Sequence, residues 1–338
     1  MNDMLYTEKG KFGKLSVIGL GCWNFGAQWN NKVSETDAIQ IIRFAIDNGV
    51  NFVDVAESYG YPDGQCEILL GKALLDGYRS KVKIVSKIGW YGRREADFGV
   101  SRSKYVRRIA NILYNKIFKY KEFDVLKRSP ELLRLCGHAC CGRLQTPYID
   151  LLLCHDDNPQ DMDSFIKAFR ILKAEGFIRH YGISTNKINV LKRFQEKSEN
   201  ECSACECDYS LLNRRAEKDI FPYCQNNKIT ILTRGALARG LLSGKYNLQT
   251  FFNESSRMSW NIGGTERSNY ESYIKKIVAI KQNLKTEVVT PYAYKFVFSN
   301  EHSPAVVLGA TTLDQIKQNI EIASSRLSEE NFKLLTSI

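Results

Sequence analysis

The chain has 338 residues, 43% apolar and 25% charged, with 48 Lys and Arg against 37 Asp and Glu, a formal balance of +11. That is long enough for a full core, and the composition excludes a disordered chain, a collagen-like repeat and a coiled coil. No apolar run reaches the roughly 18–20 residues needed to cross a bilayer, and the first ten residues carry two acids and no secretory apolar stretch, so a cytoplasmic location is expected.

Residues 1–15 read as a short hairpin around Gly10 and Gly13, plugging the bottom of whatever follows. A Val- and Ile-rich run at 16–21 opens a strand-then-helix alternation. Ser34, with Asp37 three residues on, caps a helix carrying Ala38, Ile41, Ile42 and Ala45, which Gly49 ends. A strand at 51–56, a helix near 65–75 and a strand at 82–87 follow. Residues 91–128 interrupt the repeat. It resumes with a helix at 130–144, a strand at 149–155, a helix at 162–175 and a strand at 180–184. Next come a helix at 186–196, a strand at 201–208, a helix at 214–227 and a strand at 229–234. Residues 246–270, rich in Asn, Ser and Gly, read as a second interrupting loop. A helix at 290–299, a strand at 305–309 and a helix at 313–323 complete the pattern.

Eight such strands predict one (β/α)8 TIM barrel over 1–338, with an N-terminal hairpin and long insertions after the third and seventh strands. The rival, an open doubly wound sheet, lacks its phosphate-cradling signature: Gly19-Leu-Gly21-Cys-Trp-Asn-Phe-Gly26 has the wrong spacing for G-x-G-x-x-G.

Ten cysteines stand at 22, 66, 136, 140, 141, 154, 202, 205, 207 and 224. In a reducing compartment they read as free thiols. Cys136-Gly-His138-Ala-Cys140-Cys141 and Cys202-Ser-Ala-Cys205-Glu-Cys207 resemble metal sites. Both fall inside apolar-periodic segments, where cysteine packs as a small hydrophobe, so no metal is expected.

In a barrel, polar residues at the carboxyl ends of strands are the catalytic candidates. The second strand ends in Asp54-Val-Ala-Glu-Ser-Tyr59-Gly60, the third in Ile84-Val-Ser-Lys87 and the fourth in Leu153-Cys-His155. Singly, Lys87 is a solvated strand end, His155 a hydrogen-bonded rim residue and Tyr59-Gly60 a turn. Together, an acid, a phenol, an amine and an imidazole at adjacent strand ends are hard to attribute to chance.

These stretches carry a wider resemblance. With Leu144-Gln-Thr-Pro-Tyr148-Ile-Asp150, Tyr181-Gly-Ile-Ser184, Tyr209-Ser-Leu-Leu-Asn-Arg214, Gly240-Leu-Leu-Ser-Gly-Lys245-Tyr246 and Gly309-Ala-Thr-Thr-Leu-Asp-Gln315-Ile-Lys-Gln-Asn319, the chain resembles the aldo-keto reductase superfamily over nearly its whole length. The resemblance implies carbonyl reduction by NADPH, with NADH the less favoured cofactor. It implies Tyr59 as general acid, with a phenol pKa lowered by Lys87, Asp54 holding Lys87, and His155 orienting the carbonyl. It places Ser184, Thr185 and Glu206 around the nicotinamide carboxamide. Glu206 stands where the family usually has Gln, and a carboxylate accepts a hydrogen bond but cannot donate one. Arg234 falls where an aromatic often stacks on the nicotinamide, and a cation over the oxidised ring is unfavourable, so reduction is the expected direction. Gly235, Leu237, Arg239, Gly240, Leu241 and Lys245 resemble a strap over the pyrophosphate. Gly309, Thr311, Gln315, Gln318 and Asn319 resemble the adenosine end, with Arg257 a source of charge for a 2′-phosphate. Trp23 and Gln28 match first-loop residues near the ribose and substrate.

The charge is concentrated. Residues 91–128 hold eleven Lys and Arg against four acids, +7 of the total +11. Within them Tyr105, Ile109, Leu113, Ile117 and Tyr120 recur at helical spacing. This basic insertion reads as a cover helix, as a funnel for an anionic substrate such as a phosphorylated or nucleotide-linked sugar, or, third, as a membrane-surface helix. The expected partner is a small-molecule carbonyl, sugar-like or anionic. No recognition motif supports nucleic acid, and nothing specifies an oligomeric state. The alternative function is an NADPH-binding regulatory subunit, similar to potassium-channel β subunits, with slow turnover.

Overall fold

The computed structural model describes residues 3–26, 33–89, 129–253 and 257–338. Gln28 and the basic insertion 91–128 lie outside the described residues. Strands β1 (Tyr6–Thr7) and β2 (Leu15–Ser16) form an antiparallel hairpin. Eight parallel strands follow: β3 (Ile18–Gly21), β4 (Phe52–Asp54), β5 (Lys83–Ile88), β6 (Ile149–Cys154), β7 (Ile178–Ser184), β8 (Ala204–Asp208), β9 (Thr230–Arg234) and β10 (Ala305–Gly309). They close in chain order, with β10 pairing back onto β3. This is the (β/α)8 barrel expected from the alternation. Its helices are α1 (Glu35–Asp47), α2 (Gln65–Ala73), α3 (Pro130–Leu144), α4 (Met162–Ala174), α5 (Ile188–Lys197) and α6 (Ile220–Asn226). The last four are α7 (Arg267–Leu284), α8 (Thr290–Ser299), α9 (Leu313–Ile322) and α10 (Glu329–Ser337).

Side chains alternate across each strand, so the barrel has two apolar layers. Val53, Ile84, Leu152, Cys205, Ile231 and Val306 pack outward against the helices. Phe52, Val85, Leu151, Leu153, Ala204, Leu232 and Ala305 fill the interior. The hairpin closes the bottom of that column. Phe12 and Leu15 join the interior cluster, and the Phe12 amide donates to Thr230 Oγ1 at 3.0 Å. Gly10 has φ +95°, and a Cβ there would stand 2.5 Å from the Thr230 backbone nitrogen. Glycine is required at that turn.

Two sequence readings are corrected. Residues 214–227 are not one helix: a 3-10 turn at Arg215–Glu217 precedes α6, whose first turn holds Pro222. Proline removes a backbone donor and is accommodated only at a helix start. Residues 246–270 are not all loop, because α7 starts at Arg267 and buries Tyr270, Ile274, Ile277 and Ile280. The preceding segment folds onto that helix: Phe252 lies edge-on to Trp260 at 5.5 Å and to Tyr270 at 5.6 Å. The cysteines are free thiols, nine of the ten buried. Among the described residues, no helix is long and apolar enough to cross a membrane.

Candidate active site

The alternation that fills the barrel also builds the site. One inward step beyond Phe52 comes Asp54, beyond Val85 comes Lys87, and beyond Leu153 comes His155. On β8 and β9 the same step leads from Ala204 to Glu206 and then Asp208, and from Leu232 to Arg234. The polar residues therefore crown the apolar column at the C-terminal face, as barrel enzymes require. They line a cavity of about 840 Å³ whose wall includes Trp23, Asp54, Tyr59, His155, Glu206 and Arg234.

Lys87 lies beneath that wall, fully buried. Its Nζ is 2.5 Å from both Asp54 oxygens and 3.2 Å from the Tyr59 hydroxyl. Tyr59 and His155 meet edge to face, with ring centroids 5.9 Å apart. Four residues from the ends of three adjacent strands thus converge.

The electrostatics refine the expectation. Burial favours loss of the Lys87 proton, but the carboxylates of Asp54 and Glu206 outweigh it and hold the amine charged, its pKa above the ordinary value. Burial first, and the Glu206 charge second, push Asp54 up to about 7 against the pull of Lys87. Tyr59 is pushed up to about 12 by burial, while Lys87 pulls it down. The net depression of the phenol expected from the sequence is therefore corrected: Lys87 does pull it down, but desolvation exceeds that pull.

Arg234, read from the sequence as a cation facing the nicotinamide, is paired with carboxylates. Its guanidinium is 2.7 Å from Asp208 Oδ1 and 3.3 Å from Glu206 Oε1. The argument that its charge opposes an oxidised ring fails, because carboxylates from the neighbouring strand offset it. Asp208 was not a sequence candidate, although its inward register after Ala204 and Glu206 was a usable signal.

The remaining candidates fall along the cavity and its rim. Ser184 is buried at the end of β7, and the Thr185 hydroxyl donates to the Asp157 carbonyl at 2.9 Å. Gly235, Arg239 and Leu241 line the cavity, and Leu237 packs against the core nearby. Gly235 and Gly240 have φ +75° and +90°, left-handed backbone that glycine adopts freely. Arg239 lies over the Trp260 ring at 5.3 Å, and Lys245 over Tyr246 at 5.0 Å. Arg257 donates to the Tyr246 hydroxyl at 2.9 Å. At the far end Gly309 lines the cavity. The Thr311 amide donates to Gln315 Oε1 at 2.8 Å, Asn319 Nδ2 donates to the Gly309 carbonyl at 3.4 Å, and Gln318 is exposed. Trp260, Glu266 and Tyr273, from the segment leading into α7 and from α7 itself, complete the wall and were missed with that helix.

A closed barrel with this crown matches a known family. The Aldo/keto reductase family model covers residues 17–338, and the chain belongs to that family. It is 28% identical over 327 residues to the uncharacterized oxidoreductase YqkF of Bacillus subtilis, spanning 96% of this chain and 92% of that protein. It is 24% identical over 337 residues to the NADH-specific methylglyoxal reductase of Escherichia coli, spanning 95% and 94%. In fold it resembles the glycerol dehydrogenase AKR11B4 of Gluconobacter oxydans, with a TM-score of 0.76, 24% identity, and coverage of 100% and 95%.

The chain is accordingly an NAD(P)H-dependent oxidoreductase acting on carbonyls. The residues present fit a nicotinamide cofactor. Both Glu206 carboxylate oxygens are buried without a hydrogen bond, where they can accept from an amide. Arg234 and Arg239 stand in the same wall, suited to an anionic ligand.

Proposed function

We propose that the chain is an NADPH-dependent reductase of an anionic or sugar-like aldehyde or ketone, with Tyr59 as proton donor. The observation that carries this is Lys87 Nζ bonded at once to Asp54 at 2.5 Å and to the Tyr59 hydroxyl at 3.2 Å, beneath the cavity. The nicotinamide, when bound, supplies the hydride. Tyr59, held protonated by burial, donates its O–H to the carbonyl oxygen as charge develops there. Lys87, fixed by Asp54 and kept charged by two carboxylates, stabilises the phenolate that remains. His155, sharing the cavity wall with Tyr59, hydrogen-bonds the same substrate oxygen and orients it.

Ser184, Thr185 and Glu206 take the carboxamide end, Gly235 through Lys245 the pyrophosphate, and Thr311, Gln315, Gln318 and Asn319 the adenosine. Arg257, tied to Tyr246 beside Gly240, supports NADPH over NADH as a source of charge for the extra phosphate. The +7 of residues 91–128 supports an anionic substrate. The family match over 17–338 supports one catalytic unit, and the ten free thiols support a cytoplasmic location.

The test is steady-state oxidation of NADPH and NADH over a panel of neutral, phosphorylated and nucleotide-linked carbonyls. Turnover with NADPH, fastest on phosphorylated or sugar carbonyls, is the expected result. Tight NADPH binding without turnover of any carbonyl would support a regulatory subunit instead.

A further inference from the structure

Glu206 is an unusual buried group. Its side chain is 1% exposed, and it lines the cavity. Oε2 is 3.4 Å from Lys87 Nζ and Oε1 is 3.3 Å from Arg234 Nε, yet neither oxygen receives a hydrogen bond. The two cations direct their short contacts elsewhere, Lys87 to Asp54 at 2.5 Å and Arg234 to Asp208 at 2.7 Å. A buried carboxylate in that position costs desolvation energy that long ion pairs recover only in part. A glutamine of the same shape would fill the space without the charge. With its acids ionised, the group comprises two cations and three carboxylates, so its net charge is negative.

We infer that the Glu206 carboxylate, suspended between Lys87 and Arg234 in the cavity wall, makes this site favour the oxidised, cationic nicotinamide over the reduced, neutral one. The inference rests on the proposed placement of the nicotinamide beside Glu206. The two redox forms share phosphates, riboses and adenine, and differ by a positive charge on the ring. A wall with negative charge discriminates between them by Coulomb attraction alone. Glu206 already acts this way on Asp54, whose carboxyl it helps keep protonated. Differential affinity for the two forms shifts the equilibrium between bound reactants and products by the same factor.

The test measures dissociation constants of NADP⁺ and NADPH for the full chain at pH 8, where Asp54 is ionised, by calorimetry and protein fluorescence. The wild-type chain is expected to bind NADP⁺ more tightly, and tighter binding of NADPH overturns the inference without any variant. In Glu206→Gln the ratio of the NADPH to the NADP⁺ constant should fall at least tenfold, the order of effect of a unit charge acting over about 10 Å at an effective dielectric of about 20. Glu206→Asp, which keeps the charge, should hold the ratio within about twofold of wild type, on the same Coulomb argument. An unchanged ratio in Glu206→Gln, with both forms still bound, overturns the inference and leaves the proposed site standing. Failure of the wild-type chain to bind either form overturns the site itself.

Discussion

Glu206 Oε2 stands 3.4 Å from Lys87 Nζ, the ammonium whose contacts with both Asp54 oxygens are 2.5 Å. One buried cation therefore serves two buried carboxylates. The arrangement keeps Lys87 charged under the Tyr59 hydroxyl, and it makes Asp54 the member of the group that titrates near neutrality.

That titration gives stability a defined pH dependence. The folded Asp54 carboxyl has a pKa of about 7 against an ordinary 3.8. Between those values the folded chain holds a proton that the unfolded chain has released, so this group's contribution to stability falls as pH rises from about 4 to 7. Glu206→Gln removes a cause of the shift and narrows the window. Its Tm relative to wild type should rise across that range, as followed by thermal melts at several pH values. A constant difference would contradict the coupling.

Removing the shared cation should be severe. Lys87→Met leaves Asp54 and Glu206 buried without their ammonium, a loss of about 3–5 kcal/mol of stability by urea denaturation. Adding Glu206→Gln to Lys87→Met should restore part of that loss, because one uncompensated charge is gone. Purely additive effects would mean that Lys87 and Glu206 do not interact.

The hairpin is expected to matter for folding and not for the chemistry. Leu15 is fully buried in the interior column at the end opposite the site. Leu15→Ala should cost about 2–5 kcal/mol through the cavity it leaves, with the NADPH dissociation constant unchanged. A weakened cofactor constant at full folding would show that the plug controls the mouth as well.

The basic insertion carries a prediction of its own. Replacing Arg102, Arg107 and Arg108 by Gln should lower kcat/KM for phosphorylated carbonyls and leave neutral ones unaffected, with the difference shrinking as salt screens the charge. Equal losses on both classes would exclude a role in drawing in anions.

The barrel was legible because parallel strands buried on both faces read as short Val- and Ile-rich runs, and because cap residues mark helix ends. Ser34 accepts from the Asp37 amide at 3.0 Å, as their spacing suggests. Helix α3 begins at Pro130 with Ser129 capping it. Helix α7 escaped notice, although Tyr270, Ile274, Ile277 and Ile280 keep helical spacing. It follows an Asn- and Gly-rich segment and has no side-chain cap at Glu266 to announce it. Within the site, Asp54, Tyr59, Lys87 and His155 were visible as polar residues ending apolar strands. The pairing of Arg234 was not, because its partners Glu206 and Asp208 lie on another strand and only the β8–β9 register sets them beside it.

The central claim is that Tyr59 donates the proton under the control of Lys87. Tyr59→Phe keeps the ring and its packing and removes only the hydroxyl that Lys87 touches at 3.2 Å. Single-turnover reduction of the best carbonyl substrate, with NADPH binding measured in parallel, should show hydride transfer slowed by about 10²–10⁴-fold at an unchanged NADPH dissociation constant. Reduction at the wild-type rate in Tyr59→Phe would contradict the account.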